Sequence, residues 1–292
     1  MQIGIVSPVV TRVPGAHGVW EVAAGIEELA QIAERADRLG FHHLTCSEHV
    51  AVPTDVAAQR GATYWDPLAT FGYLSARTSR IRLATQVVVL GYHHPLEIAK
   101  RYGTLDLVSG GRLVLGVGVG SLQEEFELLG ATYDGRGEIA DDALAALRAS
   151  LSVRTPSYSG THFSYDDLVV EPHAVQPRVP LWVGGRTRRS LRRAVELGDG
   201  WVPFGLSLDE LRAMVDEVSP QADFDVVLSA GRPLDALHDP DRVRERLERV
   251  TDAGATIISA SISATSVTDY CDQLAALAAI ADLQSTDLTS GD

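Results

Sequence analysis

Short apolar runs alternate with amphipathic stretches along most of this chain. Residues 3–10 (IGIVSPVV), 43–47 (HLTCS), 81–90 (IRLATQVVVL) and 112–119 (RLVLGVGV) are the first four runs. Their near-continuous hydrophobicity suits parallel strands buried on both faces. Between the first two, residues 25–39 put Ile26, Leu29, Ala33, Ala36 and Leu39 near one face, and Gly40 supplies the stop. Asp66-Pro67 reads as an N-cap and first helical position, opening a helix that ends near Thr78. Pro95 opens another, to Leu107, before the turn Ser109-Gly110-Gly111. Residues 50–65 read as a long loop.

The rhythm breaks between Gly120 and Pro180. A helix is predicted over 136–151 and a hairpin over 157–177, so an insertion of about 121–179 follows the fourth strand. Four more strands (180–184, 198–204, 225–230, 256–262) then alternate with helices at 188–197, 207–217, 240–253 and 266–281. The tail after Asp282 is polar and expected to fray. Eight strand–helix units predict an α/β fold, a (βα)8 TIM barrel, as one domain over 1–292. A doubly wound sheet would favour GxGxxG after the first strand, and TRVPGAHGVW does not match it.

Composition narrows the partners. A net charge of −14 repels phosphate backbones and anionic lipid, so neither nucleic acid nor membrane is an expected partner. Cys46 and Cys271 form no CxxC, which suggests neither a disulfide framework nor a zinc site. The opening IGIVSPVV follows no basic region and no apolar run approaches the length of a bilayer span, so a cytoplasmic protein is expected. Lys100 is the only lysine, against 24 arginines, the mark of a GC-rich genome.

Barrel active sites lie at the C-terminal strand ends. The second strand ends in Ser47-Glu48-His49, where an imidazole can exchange a proton at neutral pH or serve as a structural bond donor. His93 and His94 end the third; as neighbours on extended chain they point oppositely, and only one need face the mouth. These histidines with Glu48 could surround an ion. The ends of strands one, five, six and eight (VSP, GGRT, VPF, ISAS) supply no further ligand, so no metal is expected. Gly184-Gly185-Arg186-Thr187 has the makings of an anion cradle: glycines for close approach, a capping threonine, a helix N-terminus and nearby arginines. It reads equally as a tight turn before a solvated basic helix. Gly116, Gly118 and Gly120 fall on one strand face, leaving room for a flat ring or for core packing. His17, Trp20, Trp65, Tyr92 and His93 are assigned to the substrate pocket, and Tyr64 could join them.

Several stretches resemble the luciferase-like monooxygenase superfamily, especially the actinobacterial branch that binds the deazaflavin coenzyme F420. They are LGFHHLTCSEHV (39–50), YWDPLATFGYLSARTSRIRLATQVVVL (64–90), HPLEIAKRYGTLDLVSGGRLVLGVGVG (94–120), EFELLGATYDGRGE (125–138) and VPLWVGGRTRRSLRRAVELGDGW (179–201). The resemblance implies a barrel with an insertion, commonly a homodimer. By motif, His49 matches the active-site histidine. Thr85, Gln86 and Val87 match a bulge behind the ring, with a non-prolyl cis bond expected at Gln86-Val87. Gly118 and Gly120 match ring or ribityl contacts; Gly184, Gly185, Arg186 and Thr187 match the phosphate end. Ser121 stands where sugar-phosphate dehydrogenases of the family carry an acid, which argues against such a substrate. The implied activity is F420-dependent hydride transfer to or from a small organic molecule. The alternatives are an FMN-dependent monooxygenase, a metal-dependent barrel hydrolase and a degenerate flavin-binding protein; an intact His49 and GGRT argue against the last.

Overall fold

Every second residue of each strand turns inward, and eight such strands close on themselves. The computed structural model describes residues 1–283. Its barrel strands are β1 (Gln2–Ile5), β2 (His43–Cys46), β3 (Arg82–Thr85), β4 (Leu113–Gly118), β5 (Leu181–Gly184), β6 (Gly200–Val202), β7 (Asp225–Ser229) and β8 (Ile257–Ala260). All neighbours are parallel, β1 pairing with both β2 and β8, and β4 with β5. The helices are α1 (Ile26–Leu39), α2 (Pro67–Ser75), α3 (Pro95–Ser109), α4 (Arg136–Ser150), α5 (Arg188–Leu197), α6 (Leu208–Val218), α7 (Pro240–Asp252) and α8 (Val267–Ile280). Ile3, Ile5, Leu44, Leu83 and Leu115 pack outward against them in one large core. Ala84, Val114, Trp182, Val202, Val227 and Ile257 form a second cluster inside the barrel.

Glycine places large side chains in that interior. A Cβ on Gly4 would fall 2.0 Å from the His43 ring. Fully buried His43 fills the space and reaches Ser259 Oγ at 3.1 Å, and burial holds its pKa well below the usual imidazole value.

Four expected segments resolve differently. The run 3–10 is a strand only to Ile5. Pro8 has no N–H for a ladder, the chain turns at Val9 (φ 74°), and Thr11–Arg12 pairs antiparallel with Thr63–Tyr64. The expected loop 50–65 therefore contains that ribbon strand and a helix, Thr54–Arg60. The run 81–90 breaks after Thr85 at a cis Gln86-Val87 bond, and Val88–Val89 pairs with Val117-Gly118. The expected insertion 121–179 contains the barrel's own fourth helix besides a short helix (Gln123–Leu128) and the hairpin Tyr158–Ser159/Ser164–Tyr165. Residues beyond 283 lie outside those described.

Candidate active site

The C-terminal strand ends surround a cavity of about 940 Å³. His49, after β2, and the start of α5, after β5, both line it, three strands apart around the ring. Its floor is made by Val87. A Cβ on Gly118 would lie 2.7 Å from one Val87 methyl, and a Cβ on Gly184 would lie 2.9 Å from the other. The two glycines therefore admit the bulge, and the bulge presents an apolar surface to the cavity. Gly116, one step lower, faces the Thr85 carbonyl oxygen, which a Cβ would approach to 1.9 Å. Gly116 and Gly118 thus make room for the neighbouring 85–87 segment, and Gly118 and Gly120 also line the cavity.

The bulge is fastened from β2. Ser47 Oγ donates to the Gln86 carbonyl at 2.6 Å, Glu48 N–H to the Val87 carbonyl at 3.3 Å, and Gln86 N–H to the Cys46 carbonyl at 2.8 Å. The Glu48 carboxylate accepts from Val89 N–H and from His93 Nε2, each at 2.7 Å. That hydrogen bond raises the His93 pKa against the opposing effect of burial. Thr85 Oγ1 donates to the Gly116 carbonyl at 2.7 Å, below the cavity. Thr85 and His93 thus stand behind the lining rather than in it.

At the other wall, His49 Nδ1 is 2.6 Å from Glu125 Oε2. Glu125, from the short helix after β4, is fully buried. Its Oε1 accepts from Val50 N–H (2.6 Å) and Ala51 N–H (3.1 Å), and its Oε2 also accepts from Tyr92 OH (2.9 Å). Burial pushes its carboxyl pKa up, but the bonds from His49, Ala51 and Tyr92 outweigh this and hold it below the usual value. Burial and Glu125 together push the Tyr92 phenol upward, so Tyr92 is a donor here. A carboxylate opposite Nδ1 makes that nitrogen the donor to Glu125, leaving Nε2 as the nitrogen without a side-chain partner. Tyr64 packs edge-on against His49, ring centroids 4.4 Å apart.

At α5, Thr187 Oγ1 accepts from Ser190 N–H at 3.2 Å, and Ser190 Oγ closes the cap on the Thr187 carbonyl at 2.6 Å. Gly185 sits at φ 146°, where a Cβ would lie 2.5 Å from Ser190 Cβ. Gly185 N–H bonds the Val202 carbonyl and Thr187 N–H bonds Ser190 Oγ. What faces the cavity as positive charge is the α5 dipole end together with Arg136, Arg186, Arg189 and Arg193. Arg193 is tied to Asp141 and the Gly137 carbonyl, and Arg136 stacks on Tyr133 while donating to the Gly120 carbonyl at 3.1 Å. Arg186 lies 6.0 Å from the Phe204 ring.

The cavity brings together His49, Gln86, Val87, Tyr92, Gly118 and Gly120 with the 184–187 segment. His17 lines a smaller neighbouring pocket, Trp20 packs on Tyr270 at 5.9 Å, and Trp65 packs against the core. Sequence reasoning did not single out Glu125 or Arg136. Glu125 follows another acid, Glu124, which is exposed, and only the fold distinguishes the two. Among the described residues no three His, Cys, Asp or Glu side chains are grouped to hold a metal, and no helix is long and apolar enough to cross a membrane.

The profile described as luciferase-like monooxygenase matches residues 1–270. An uncharacterized protein of Mycobacterium tuberculosis is 29% identical over 265 residues, covering 85% of this chain and 92% of its own. Among solved structures, a monooxygenase from Streptomyces bottropensis superposes with TM-score 0.78 at 22% identity, covering 96% of this chain and 98% of its own. An F420-dependent secondary alcohol dehydrogenase, solved with an F420-acetone adduct, gives 0.71 at 15% identity, covering 94% and 98%. EDTA monooxygenase from Chelativorans sp. BNC1 gives 0.76 at 14% identity, covering 98% and 96%. With its eight-stranded barrel and a profile match over nearly all its length, the chain belongs to the luciferase-like monooxygenase family.

Proposed function

We propose that this protein is an F420-dependent oxidoreductase acting on a small organic molecule. The observation that carries the reading is one cavity with His49 at one wall and the basic start of α5 at another, floored by the Val87 bulge. The residues fit a deazaflavin: the volume is that of a pocket for a large ligand, the floor is apolar, and the arginine-lined end suits a phosphate. Val87, Gly118 and Gly120 would hold the ring region, and Gly184, Gly185, Arg186 and Thr187, with Arg189, the anionic end. Bound there, the cofactor supplies hydride chemistry. The chain's own part is to orient both reactants and to exchange a proton at His49 Nε2, with Glu125 holding the other nitrogen.

Titrating purified protein separately with F420 and FMN, following ring fluorescence, tests the reading. Saturable F420 binding with weak FMN binding is expected. Tight FMN binding without F420 binding overturns it in favour of a flavin-dependent monooxygenase.

A further inference from the structure

On the Arg186 side of the main cavity lies a second pocket, of about 380 Å³, and Pro203 and Phe204 wall both. It sits between the loop after β6, the start of α6, the end of β7 and one face of α7. Phe204 is 59% exposed on the ridge between the two, with the Arg186 guanidinium 6.0 Å from its ring. Leu206, Leu208, Leu211 and Val250 supply apolar wall. An apolar pocket with an open aromatic ring at its rim suits the body of an organic ligand.

The charge on its walls is of one sign. Arg246 and Arg249 line it, about one turn apart on α7 and next to Val250. Arg246 Nη1 donates to the Ala230 carbonyl at 3.2 Å and the Arg232 carbonyl at 3.5 Å, which fixes its guanidinium beside the end of β7. Arg249 is exposed. Arg242 and Arg244 on the same helix pair with Asp239 and Asp241; among the described residues no ion pair involves Arg246 or Arg249. Glu210, near the rim on α6, is turned to its own helix cap, accepting from Ser207 N–H and Oγ. Among the described residues no aspartate or glutamate lines this pocket, in a chain of net charge −14. Two guanidiniums without a carboxylate partner in one pocket have the donors for a phosphate or a carboxylate.

We propose that this pocket is a second anion site: Arg246 and Arg249 bind the phosphate or carboxylate of a ligand whose apolar body lies against Phe204. That anionic group has two sources. It belongs to a separate small molecule, or to an outlying part of the ligand in the main cavity that crosses the Phe204 ridge. Only the second source rests on the proposed function; the site itself stands on its own walls.

Methyl NMR of the full chain tests this, because the two cavities carry different reporters. Leu206, Leu208, Leu211 and Val250 line the second pocket, whereas Val87, Val89 and Val119 line the main one. Phenyl phosphate is titrated first, with phenol as the neutral control. Saturable shifts of the second-pocket methyls are expected with phenyl phosphate and not with phenol. Arg249→Gln should weaken that titration by about tenfold, the effect of one charge-assisted hydrogen bond. Arg189→Glu should leave it unchanged, since Arg189 lines only the main cavity. The titration is then repeated with the main cavity saturated by whichever of F420 or FMN binds. Shifts of the second-pocket methyls by the cofactor alone, with phenyl phosphate excluded, assign the anionic group to the cofactor. Undisturbed phenyl phosphate binding assigns it to a separate molecule. No saturable shift at the second-pocket methyls, equal affinity for phenol, or insensitivity to Arg249→Gln overturns the site. Failure of the cofactor reading is seen separately, in the titrations with F420 and FMN.

Discussion

Nδ1 of His49 and Oε2 of Glu125 stand 2.6 Å apart, although the two residues are 76 positions apart in the chain. The contact is buried on the Glu125 side and open to the cavity on the His49 side. It fixes which imidazole nitrogen is free. Replacing Glu125 with Gln removes the carboxylate, and the amide can present an N–H to Nδ1 instead. The dominant neutral tautomer is then expected to change from Nδ1–H to Nε2–H, read from ring ¹⁵N shifts of the cofactor-free protein. Turnover is expected to fall about 10²-fold, the low end for lost acid–base help. The same tautomer in both proteins would detach Glu125 from the chemistry.

Glu125 also collects two backbone N–H groups, the Tyr92 hydroxyl and His49. Glu125→Leu leaves all four donors without an acceptor in a buried site. A loss of about 3–5 kcal/mol is expected by urea unfolding, and Glu125→Gln should cost clearly less. Equal stability of the two variants would mean that the carboxyl oxygens hold nothing.

Val87 offers a steric test that needs no ligand. Gly118→Ala brings a Cβ to 2.7 Å from a methyl of a β-branched side chain. The bulge must shift, and a cost of about 1–3 kcal/mol is expected, as for overpacking elsewhere. Adding Val87→Ala to Gly118→Ala should recover most of it. A double variant no more stable than Gly118→Ala alone would place the clash elsewhere.

The His93–Glu48 pair predicts a pH dependence of stability. His93 has a folded pKa raised above its unfolded value, chiefly by the bond to Glu48. Its stabilising contribution is full below the unfolded value near 6.5 and is lost as pH rises through the folded value. The gap in urea midpoint between wild type and His93→Gln should therefore be larger at pH 6 than at pH 9. A gap that grows with pH would reverse the assignment.

The eight-strand rhythm was legible because burial on both faces leaves apolar runs, and helix starts such as Asp66-Pro67 and Thr187 carry their own chemistry. Thr187 is observed as the α5 cap, and the cis bond stands at Gln86-Val87, where the family resemblance placed it. Two things were not legible. The run 81–90 is mostly apolar, and its polar residues Arg82, Thr85 and Gln86 are of kinds that unbroken strands also carry, so its pattern does not by itself mark the break after Thr85. Glu125 is one of two adjacent acids, and its burial depends on a loop and a helix from different strands meeting over it. Trp20 and Trp65 show the converse: aromatic type alone does not say whether a ring faces the cavity or the core.

The positive end of the cavity separates electrostatic binding from packing. Arg186 and Arg189 line it from exposed positions, Arg189 with a 3.5 Å pair to Asp141, whereas Arg193 is buried against the same carboxylate. Charge reversal at either residue should therefore weaken an anionic cofactor while leaving the fold intact. For Arg189→Glu an affinity loss of about tenfold at low ionic strength is expected, shrinking in 0.5 M salt as screening removes the repulsion. Arg193→Glu should instead destabilise the protein, since it would bury a carboxylate against Asp141. Unaltered cofactor affinity in Arg189→Glu at low salt would remove this wall from binding and move the anionic end of the ligand elsewhere in the cavity.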